Sequence, residues 1–270
     1  MSGPSRPKRL WGNSFQLQDL LSLVPGSLGI AEREFALLTI AAQLSVQYPN
    51  QLVFKGGFAL RHVHGIIRFS FDVDATRHNP SFLQFDASEV AATIRSASIG
   101  DTIRFQPQEP PGTDSARSLD FDHVKFSGSL LSTSEVQVEI SYREVVIDEP
   151  DKARIGAPFY EDFEILTMTV SEMASEKLRA LAQRVRATDL ADLAELLLLP
   201  TTRDEDISRL ALKKFELVKQ GNANRIDRIE RNLQEISFDY DNVVPALFPG
   251  ARSYNESMDI VWPRVKILIP

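Results

Sequence analysis

The sequence contains no cysteine and only four histidines among its 270 residues. Disulfide bonds, thiolate nucleophiles and cysteine-ligated zinc are therefore excluded, and a histidine-rich metal cage has few candidate ligands. Any metal chemistry has to rest on carboxylate oxygens, which suit hard cations such as Mg²⁺. The formal net charge of −7 argues against bulk electrostatic attraction to nucleic acid, although it says nothing about a local basic patch.

Long apolar runs are also missing. No uninterrupted apolar stretch reaches membrane-spanning length, and the first residues, MSGPSRPKRLWGNS, lack the apolar core of a secretory signal. These absences predict a cytoplasmic protein without a membrane partner. The chain is long enough for one large or two modest domains. We expect two, with a mixed sheet in residues 1–163 and a mostly helical part in residues 164–270.

The most informative stretch is residues 52–76, LVFKGGFALRHVHGIIRFSFDVDAT. Its pattern predicts a short buried strand, a double-glycine turn, a short helix and a second strand from Arg68 to Thr76. Asp72 and Asp74 are two residues apart on that second strand, so their side chains point to the same face. Because two close like charges are costly without a cation, the pair is a candidate Mg²⁺ site rather than two solvated carboxylates.

Phosphate recognition is predicted beside this pair. Gly56 and Gly57 allow close approach of the backbone and open a helix whose free N–H groups favour phosphate, although a paired glycine alone often marks only a tight turn. By alternation Ser70 shares the face of the two aspartates, so its hydroxyl either binds phosphate or covers the edge of the strand. Phosphate next to a metal describes a nucleoside triphosphate site.

A third carboxylate would complete such a site. Residues 134–144 alternate as a strand that places Glu139 on its polar face, which makes it the best candidate ligand. The alternative is a cross-strand partner for an arginine. Further elements predicted before residue 147 are an amphipathic helix over residues 31–48, a helix over 88–98 and strands over 101–106 and 123–130. Residues 147–165 are predicted to be a loop-rich connection.

From Thr169 the pattern becomes helical. Thr169 and Glu172 have capping-box spacing, and Thr188 is predicted to cap a second helix. Lys177 is either a counter-charge for the triphosphate or a solvated helix lysine. Asp189 suits the first turn of a helix, while Asp192 is the better site candidate. Residues 203–236 are predicted to be helical and rich in basic side chains, and no role is assigned to the tail from Phe238.

Two segments resemble the AbiEii/AbiGii-type toxin nucleotidyltransferases, the group that includes the MenA-type toxins. KGGFALRHVHGIIRFSFDVDAT is similar to the family's first motif, KGGTALR followed by RxSxDxD. SEMASEKLRALAQRVRATDLADL is similar to its second, AEKLxALxxRxxxRDLxDL. Together they cover the chain from about Leu52 to Leu193. The sequence departs from the first motif at Phe58 and Phe71, and from the second at Thr188.

The resemblance implies the α/β (α+β) polymerase-beta-like nucleotidyltransferase fold with a mostly helical C-terminal part. It implies an enzyme that uses Mg²⁺, two ions in such sites, to transfer NMP from NTP to an acceptor hydroxyl. The implied acceptor is the 3′ end of tRNA, with translation blocked and an antitoxin as partner. The implied catalytic residues are Asp72, Asp74, Glu139, Lys177 and Asp192, of which the first three hold metal. The implied nucleotide-binding residues are Lys55, Gly56, Gly57, Ser70 and Arg184.

Two other functions remain open from the sequence. In one, the same site transfers the nucleotide to a protein or small molecule, and labelling of a lysate would separate that from RNA. In the other, the chain is a low-turnover nucleotide-binding regulator whose site is narrowed by Phe58 and Phe71. Tight NTP binding without release of pyrophosphate would identify it. The sequence does not give the preferred NTP, the number of nucleotides added or the oligomeric state.

Overall fold

In a computed structural model, the residues that can be described are 24, 27–79, 85–98, 103–108, 118–127, 134–157, 160–218 and 224–269. The chain divides into two compact units. The first unit is drawn from Met1–Gly65, Phe69–Val146 and Pro150–Thr167, and the second from Ile66–Arg68, Ile147–Glu149 and Met168–Pro270. The basic residues Arg6, Lys8 and Arg9 near the start of the sequence lie outside the described residues.

The described part of the first unit contains a seven-stranded mixed sheet and three helices, in the order α1 (Leu28–Gln47), β1 (Leu52–Lys55), α2 (Gly56–His62), β2 (Asp72–Arg77), α3 (Ala87–Ser96), β3 (Arg104–Pro107), β4 (Ser118–Ser127), β5 (Ser134–Ser141), β6 (Asp151–Ala157) and β7 (Tyr160–Thr167). The strand order is β3-β4-β5-β2-β1-β7-β6. β1 pairs parallel with β7 and β2 parallel with β5, whereas the remaining pairs are antiparallel.

One face of this sheet packs against α1. The inward residues alternate along the strands, so that Val73 on β2 and Val138 on β5 join Phe35 of α1 in a single apolar cluster. Asp72 and Asp74 flank Val73 and therefore belong to the opposite, half-buried face. The pleat of β2 thus separates the core of the unit from its acidic side chains.

α1 begins three residues before the predicted helix and ends one residue before its predicted end, but it is not amphipathic as predicted. It is buried around most of its circumference, and the buried residues include Glu32 and Glu34, each 1% exposed. The sequence pattern did not reveal this because the polar positions of α1 are covered by other elements rather than by water.

Two further predictions in the first unit were wrong. The strand predicted from Arg68 begins only at Asp72, because residues 65–70 form an irregular passage after α2. The loop-rich connection predicted over residues 147–165 contains two strands, β6 and most of β7, which pair with each other and, through β7, with β1. Pro150 and Pro158 had suggested a loop, but Pro150 directly precedes β6 and Pro158 lies outside the described residues.

The described residues of the second unit form six helices: α4 (Val170–Leu181), α5 (Ala187–Leu198), α6 (Asp204–Leu217), α7 (Arg225–Ile236), α8 (Tyr240–Leu247) and α9 (Tyr254–Leu268). α4 packs against α5, α6 and α7, and α9 packs against α5 and α6. The Thr169 hydroxyl accepts the Glu172 N–H at 3.2 Å, so the predicted cap of α4 is confirmed. Thr188 is not a cap, because α5 begins one residue before it with Arg186 at the N-cap position.

Helices α8 and α9 occupy the tail to which the sequence assigned no structure. α9 starts with a full capping box, in which Ser253 and Glu256 bond each other's backbone N–H groups. Pro263 lies inside α9 and Pro245 inside α8, where proline supplies no backbone N–H for the helix. None of the described helices is long and apolar enough to span a bilayer.

Candidate active site

A row of ionisable side chains crosses the centre of the sheet in the first unit. Asp74 on β2 is in register with Glu139 on β5, and Glu139 is in register with Asp120 on β4. On the other side of β2, Asp74 is in register with Lys55 at the end of β1. Registered neighbours project from the same face of a sheet, so four adjacent strands present one lysine and three carboxylates in line, with Asp72 two residues along β2.

The glycine turn lies directly against this row. Gly56 adopts a left-handed conformation, with φ of 62°, immediately after β1. A methyl group added at this position would overlap the Asp74 carboxylate, so only glycine permits the approach. Gly57 follows as a buried residue of α2. The structure therefore brings the predicted turn and one predicted carboxylate into contact.

Glu139 has an unusual electrostatic environment. Burial raises the pKa of its carboxyl group above the ordinary value, and the nearby charges of Asp120 and Glu144 raise it further. Lys55 opposes that shift and forms an ion pair with Glu144. A buried carboxyl group with a raised pKa is a better proton acceptor than an ordinary glutamate. A cation placed on this face would offset the same accumulated negative charge.

Ser70 is placed differently from the prediction. It precedes β2, so strand alternation does not orient it, and its side chain is buried. Its hydroxyl donates a hydrogen bond to Asp72 Oδ1 at 2.6 Å. That proton is directed at a carboxylate rather than into solvent. The predicted role of Ser70 in phosphate binding stays a prediction.

The two aromatic departures from the family motif are packed against protein. Phe58 is completely buried and contacts Phe54 and His62, with ring centroids 5.7 Å and 4.8 Å away. The Phe71 ring lies 4.5 Å from the guanidinium of Arg33 on α1, and is 38% exposed. Phe58 is thus a core residue of the first unit, which argues against a role in narrowing a nucleotide site.

The donor set suits a hard cation. Within the part of the chain that the structure describes, no group of three or more acidic or histidine side chains converges closely enough to hold a metal ion. The chemistry nevertheless fits Mg²⁺: Asp72 and Asp74 share one face, Glu139 is the registered neighbour of Asp74, and Asp120 Oδ1 is buried without a hydrogen-bond partner. All four residues supply carboxylate oxygens, the donors that Mg²⁺ prefers.

In the second unit, the predicted residues Lys177, Arg184 and Asp192 belong to a buried ionic cluster. Lys177 Nζ lies 2.9 Å from Asp189 Oδ1 and 2.7 Å from Asp192 Oδ2. Arg68 Nε is 2.8 Å from Asp192, and Arg184 donates two hydrogen bonds to Asp189, at 2.7 Å and 3.1 Å. Asp189 is consequently more than a first-turn carboxylate, because it anchors two cations.

The pKa values of Lys177 and Asp189 are shifted by their opposite charges. Burial alone would lower the pKa of Lys177, but the charges of Asp192 and Asp189 outweigh it and raise the pKa. Burial would raise the pKa of Asp189, whereas the charge of Lys177 and the hydrogen bonds from Arg184 hold it well below its ordinary value. The two aspartates therefore favour the ammonium form of Lys177. The predicted roles of Lys177, Arg184 and Asp192 in the reaction stay predictions.

Asp120 is the residue of the row that the sequence analysis missed. The strand had been predicted to begin at His123, whereas β4 begins at Ser118. The alternation of SLDF already places Asp120 on the polar side of a strand, and this signal was available in the sequence. The alignment of Asp120 with Glu139 could not be predicted from the sequence, because strand register depends on pairing between distant segments.

A mixed α/β sheet with this acidic row beside a glycine turn has the architecture of a nucleotidyl transfer enzyme. Comparison of the sequence with known families makes the class specific: the family described as nucleotidyl transferase AbiEii toxin, type IV toxin–antitoxin system, matches residues 41–257. The chain belongs to this family and is a toxin nucleotidyltransferase. Membership implies an NTP substrate and an antitoxin partner. Among curated proteins, none matches the chain.

Solved structures confirm the fold. The Mycobacterium tuberculosis H37Rv nucleotidyltransferase toxin MenT4 aligns with a TM-score of 0.67 at 17% identity, covering 94% of this chain and 90% of that one. JHP933 from Helicobacter pylori aligns with a TM-score of 0.59 at 19% identity, covering 90% and 92%. The predicted nucleotidyltransferase fold is therefore confirmed over nearly the whole chain.

Proposed function

We propose that this toxin is a Mg²⁺-dependent enzyme that transfers NMP from NTP to the 3′ end of tRNA and thereby blocks translation. The observation that carries the proposal is the registered pair Asp74 and Glu139, with Asp72 on the same face of β2 and the Gly56 turn in contact with Asp74. The family supplies the NTP substrate. The tRNA acceptor, the number of metal ions and the cytoplasmic location are parts of the proposal.

Asp72 and Asp74 would hold both metal ions, with Glu139 as a further ligand. Bound there, Mg²⁺ would polarise the triphosphate and neutralise charge that develops during transfer. Gly56 and Gly57 would receive the phosphates, because the close backbone approach leaves N–H donors unobstructed by side chains. Lys55 and Ser70, next to the same strands, are proposed to orient the nucleotide.

In the transfer itself, a hydroxyl oxygen of the acceptor forms a bond to the α-phosphorus, and the bond from that phosphorus to the bridging oxygen breaks. Pyrophosphate leaves with that electron pair. Glu139, with its raised pKa, takes the proton of the acceptor hydroxyl. Lys177, whose pKa is raised, is proposed to offset the charge on pyrophosphate, with Asp192 and Arg184 controlling its position.

The test is incubation of the full-length protein with each labelled NTP, Mg²⁺ and total tRNA. We expect label to enter RNA, and Asp72→Ala to abolish the transfer. Asp122→Asn is a matched control, because Asp122 is an exposed carboxylate on β4 that is outside the acidic row. No transfer by the wild type, or full transfer by Asp72→Ala, would sink the proposal.

The acceptor is tested separately by labelling a lysate and treating one portion with ribonuclease and another with protease. Label that survives ribonuclease and is lost with protease would replace tRNA by a protein acceptor, and label in neither fraction would point to a small molecule. Translation in a cell-free system, with and without prior treatment of the tRNA, tests the proposed consequence. Unimpaired translation with fully labelled tRNA would contradict it.

A further inference from the structure

Glu34 is a buried carboxylate that the reaction described above does not use. It belongs to α1 in the first unit and is 1% exposed. Its Oε2 accepts a hydrogen bond from Arg61 Nε at 2.6 Å and lies 3.0 Å from His62 Nε2. Both partners come from the last turn of α2, so this oxygen ties α1 to the helix that begins at the glycine turn.

The other oxygen of Glu34 faces the passage that leads into β2. Glu34 Oε1 accepts the backbone N–H of Ser70 at 3.4 Å. Ser70 in turn donates its hydroxyl to Asp72 Oδ1 at 2.6 Å and approaches the Asp72 carbonyl oxygen at 3.2 Å. A continuous path of hydrogen bonds therefore runs from α2 through Glu34 and Ser70 to Asp72.

This path of hydrogen bonds reaches Ser70 in a segment without regular secondary structure. Ser70 lies in the irregular passage before β2, so no strand ladder fixes its backbone. A carboxylate can be buried only when it is paired and hydrogen-bonded, and Glu34 meets that condition with donors from two different segments. The burial of Glu34 thus depends on Ser70 and α2 being held in a fixed arrangement.

We propose that Glu34 is a positioning residue that fixes the orientation of the Asp72 carboxylate through Ser70 and so tunes metal binding at the acidic row. The proposal rests on the function proposed above, because it assigns Asp72 to the metal. Outer partners of metal ligands typically change metal affinity about 10- to 100-fold when removed. Glu34 acts one residue further out than Ser70, so its effect should lie at about ten-fold.

Glu34→Gln is the most informative variant because it keeps the size of the side chain. An amide has one acceptor oxygen and one donor nitrogen, and therefore cannot accept from both Arg61 and Ser70. The charge-assisted bond to Arg61 is the stronger one, so the amide nitrogen would face the Ser70 N–H and break the path. Glu34→Asp keeps two acceptor oxygens on a shorter side chain.

A matched control is present on the same helix. Glu32 is also 1% exposed and lies two residues before Glu34. Glu32→Gln removes an equally buried carboxylate from α1 and leaves Glu34, Ser70 and Asp72 themselves unchanged. Any change that arises merely from loss of a buried carboxylate on α1 should appear in both variants.

The experiment measures binding of Mn²⁺ alone to the full-length protein by the electron paramagnetic resonance signal of the free ion. Mn²⁺ is a suitable probe because carboxylate oxygens bind it as they bind Mg²⁺. We expect the dissociation constant to rise about ten-fold in Glu34→Gln and about 10- to 100-fold in Ser70→Ala, with Glu32→Gln unchanged. The double variant should bind no more weakly than Ser70→Ala, since both act along one path.

Four outcomes overturn the inference. They are wild-type affinity in Ser70→Ala, wild-type affinity in a folded Glu34→Gln, equal weakening by Glu32→Gln, and additive effects in the double variant. If Glu34→Gln does not fold, Mn²⁺ binding by Ser70→Ala and Glu34→Asp tests the inference instead. Glu34→Asp is expected to retain a higher Mn²⁺ affinity than Ser70→Ala. Mn²⁺ binding that is absent in the wild type, or unaffected by Asp72→Ala, would instead defeat the proposed metal site and this inference with it.

Discussion

Gly56 and Asp74 fit so closely that residue 56 has no room for a β-carbon. Gly56→Ala should therefore lose stability and also displace Asp74. The strain of alanine in a left-handed conformation costs roughly 1–2 kcal/mol. Loss of transition-state stabilisation at the displaced carboxylate should reduce nucleotide transfer about 10²- to 10³-fold. Urea denaturation and the label-transfer assay provide the two measurements.

Gly65 is the matched control for this prediction. It has a φ of 68°, but a β-carbon there would meet nothing within 4 Å. Gly65→Ala has the left-handed strain without the overlap, so it should lose about 1–2 kcal/mol of stability, no more than Gly56→Ala, with transfer nearly unchanged. An equal loss of transfer in both variants would mean that strain, rather than contact with Asp74, limits residue 56.

Asp120 should set the pH dependence of transfer through Glu139. Burial is the main cause of the raised Glu139 pKa, and the negative charge of Asp120 adds to it. Transfer that needs ionised Glu139 is lost as the pH falls through this raised pKa. Asp120→Asn removes a like charge, so the pKa falls and the acidic limb of the pH–rate profile moves to lower pH. The exposed neighbour Asp122 supplies the control Asp122→Asn, whose profile should coincide with that of the wild type.

Lys214 should be a major source of stability in the second unit. It is 3% exposed and lies 2.6 Å from Glu172 and 2.9 Å from Glu176. Glu172 also accepts the backbone N–H groups of Ile147 and Asp148. Lys214→Met leaves a buried carboxylate without its cation and should cost about 3–5 kcal/mol in the free energy of unfolding.

The adjacent Lys213 is exposed and allows a direct comparison. Lys213→Met should change the free energy of unfolding by no more than about 0.5 kcal/mol, as is usual for surface positions. Both values follow from urea denaturation at neutral pH. Similar losses in the two variants would show that the ion pairs of Lys214 contribute nothing beyond its aliphatic part.

Asp189 should make the protein sensitive to acid. Its pKa in the folded state lies below the ordinary value of 3.8, because Lys177 and Arg184 outweigh the effect of burial. A group with a lowered folded pKa stabilises the fold above its unfolded pKa and loses that contribution as the pH falls. The loss should therefore begin below about pH 4.

Asp189→Asn lacks this contribution at every pH. The difference in unfolding free energy between wild type and variant should be largest at neutral pH and shrink as the pH falls from about 4 toward 2. The exposed Asp227 gives the control Asp227→Asn, for which no such convergence is expected. A wild-type advantage that stays constant down to pH 2 would contradict the assignment.

The sequence predicted those features that depend on neighbouring residues. The elements between Leu52 and Arg77 follow from apolar runs, two glycines and a DxD pattern, and the cap of α4 follows from Thr169 and Glu172. Strands β6 and β7 were not predicted. β7 is stabilised by pairing with β1, more than 100 residues earlier, and such pairing leaves no local pattern in the sequence.

The same limit applies to the site. The side-chain types at residues 72, 74 and 139 indicated a metal site, but the register that aligns Glu139 with both Asp74 and Asp120 depends on three separate strands. The alternation argument for Ser70 was wrong, because Ser70 precedes β2 and donates its hydroxyl to Asp72 from an irregular segment. The spacing of Ser253 and Glu256 is a sequence signal for the start of α9, but no helix was predicted there.

The position of β1 between β2 and β7 has a consequence for synthesis of the toxin. Phe54 of β1 receives a hydrogen bond from Thr167 of β7, 113 residues later in the chain. While the chain is being translated, β2 with Asp72 and Asp74 emerges before its neighbour β5, and β1 emerges before its neighbour β7. The catalytic sheet is complete only after residue 167 has left the ribosome. The ribosome that makes the chain is therefore not exposed to the completed sheet until most of that chain has been synthesised.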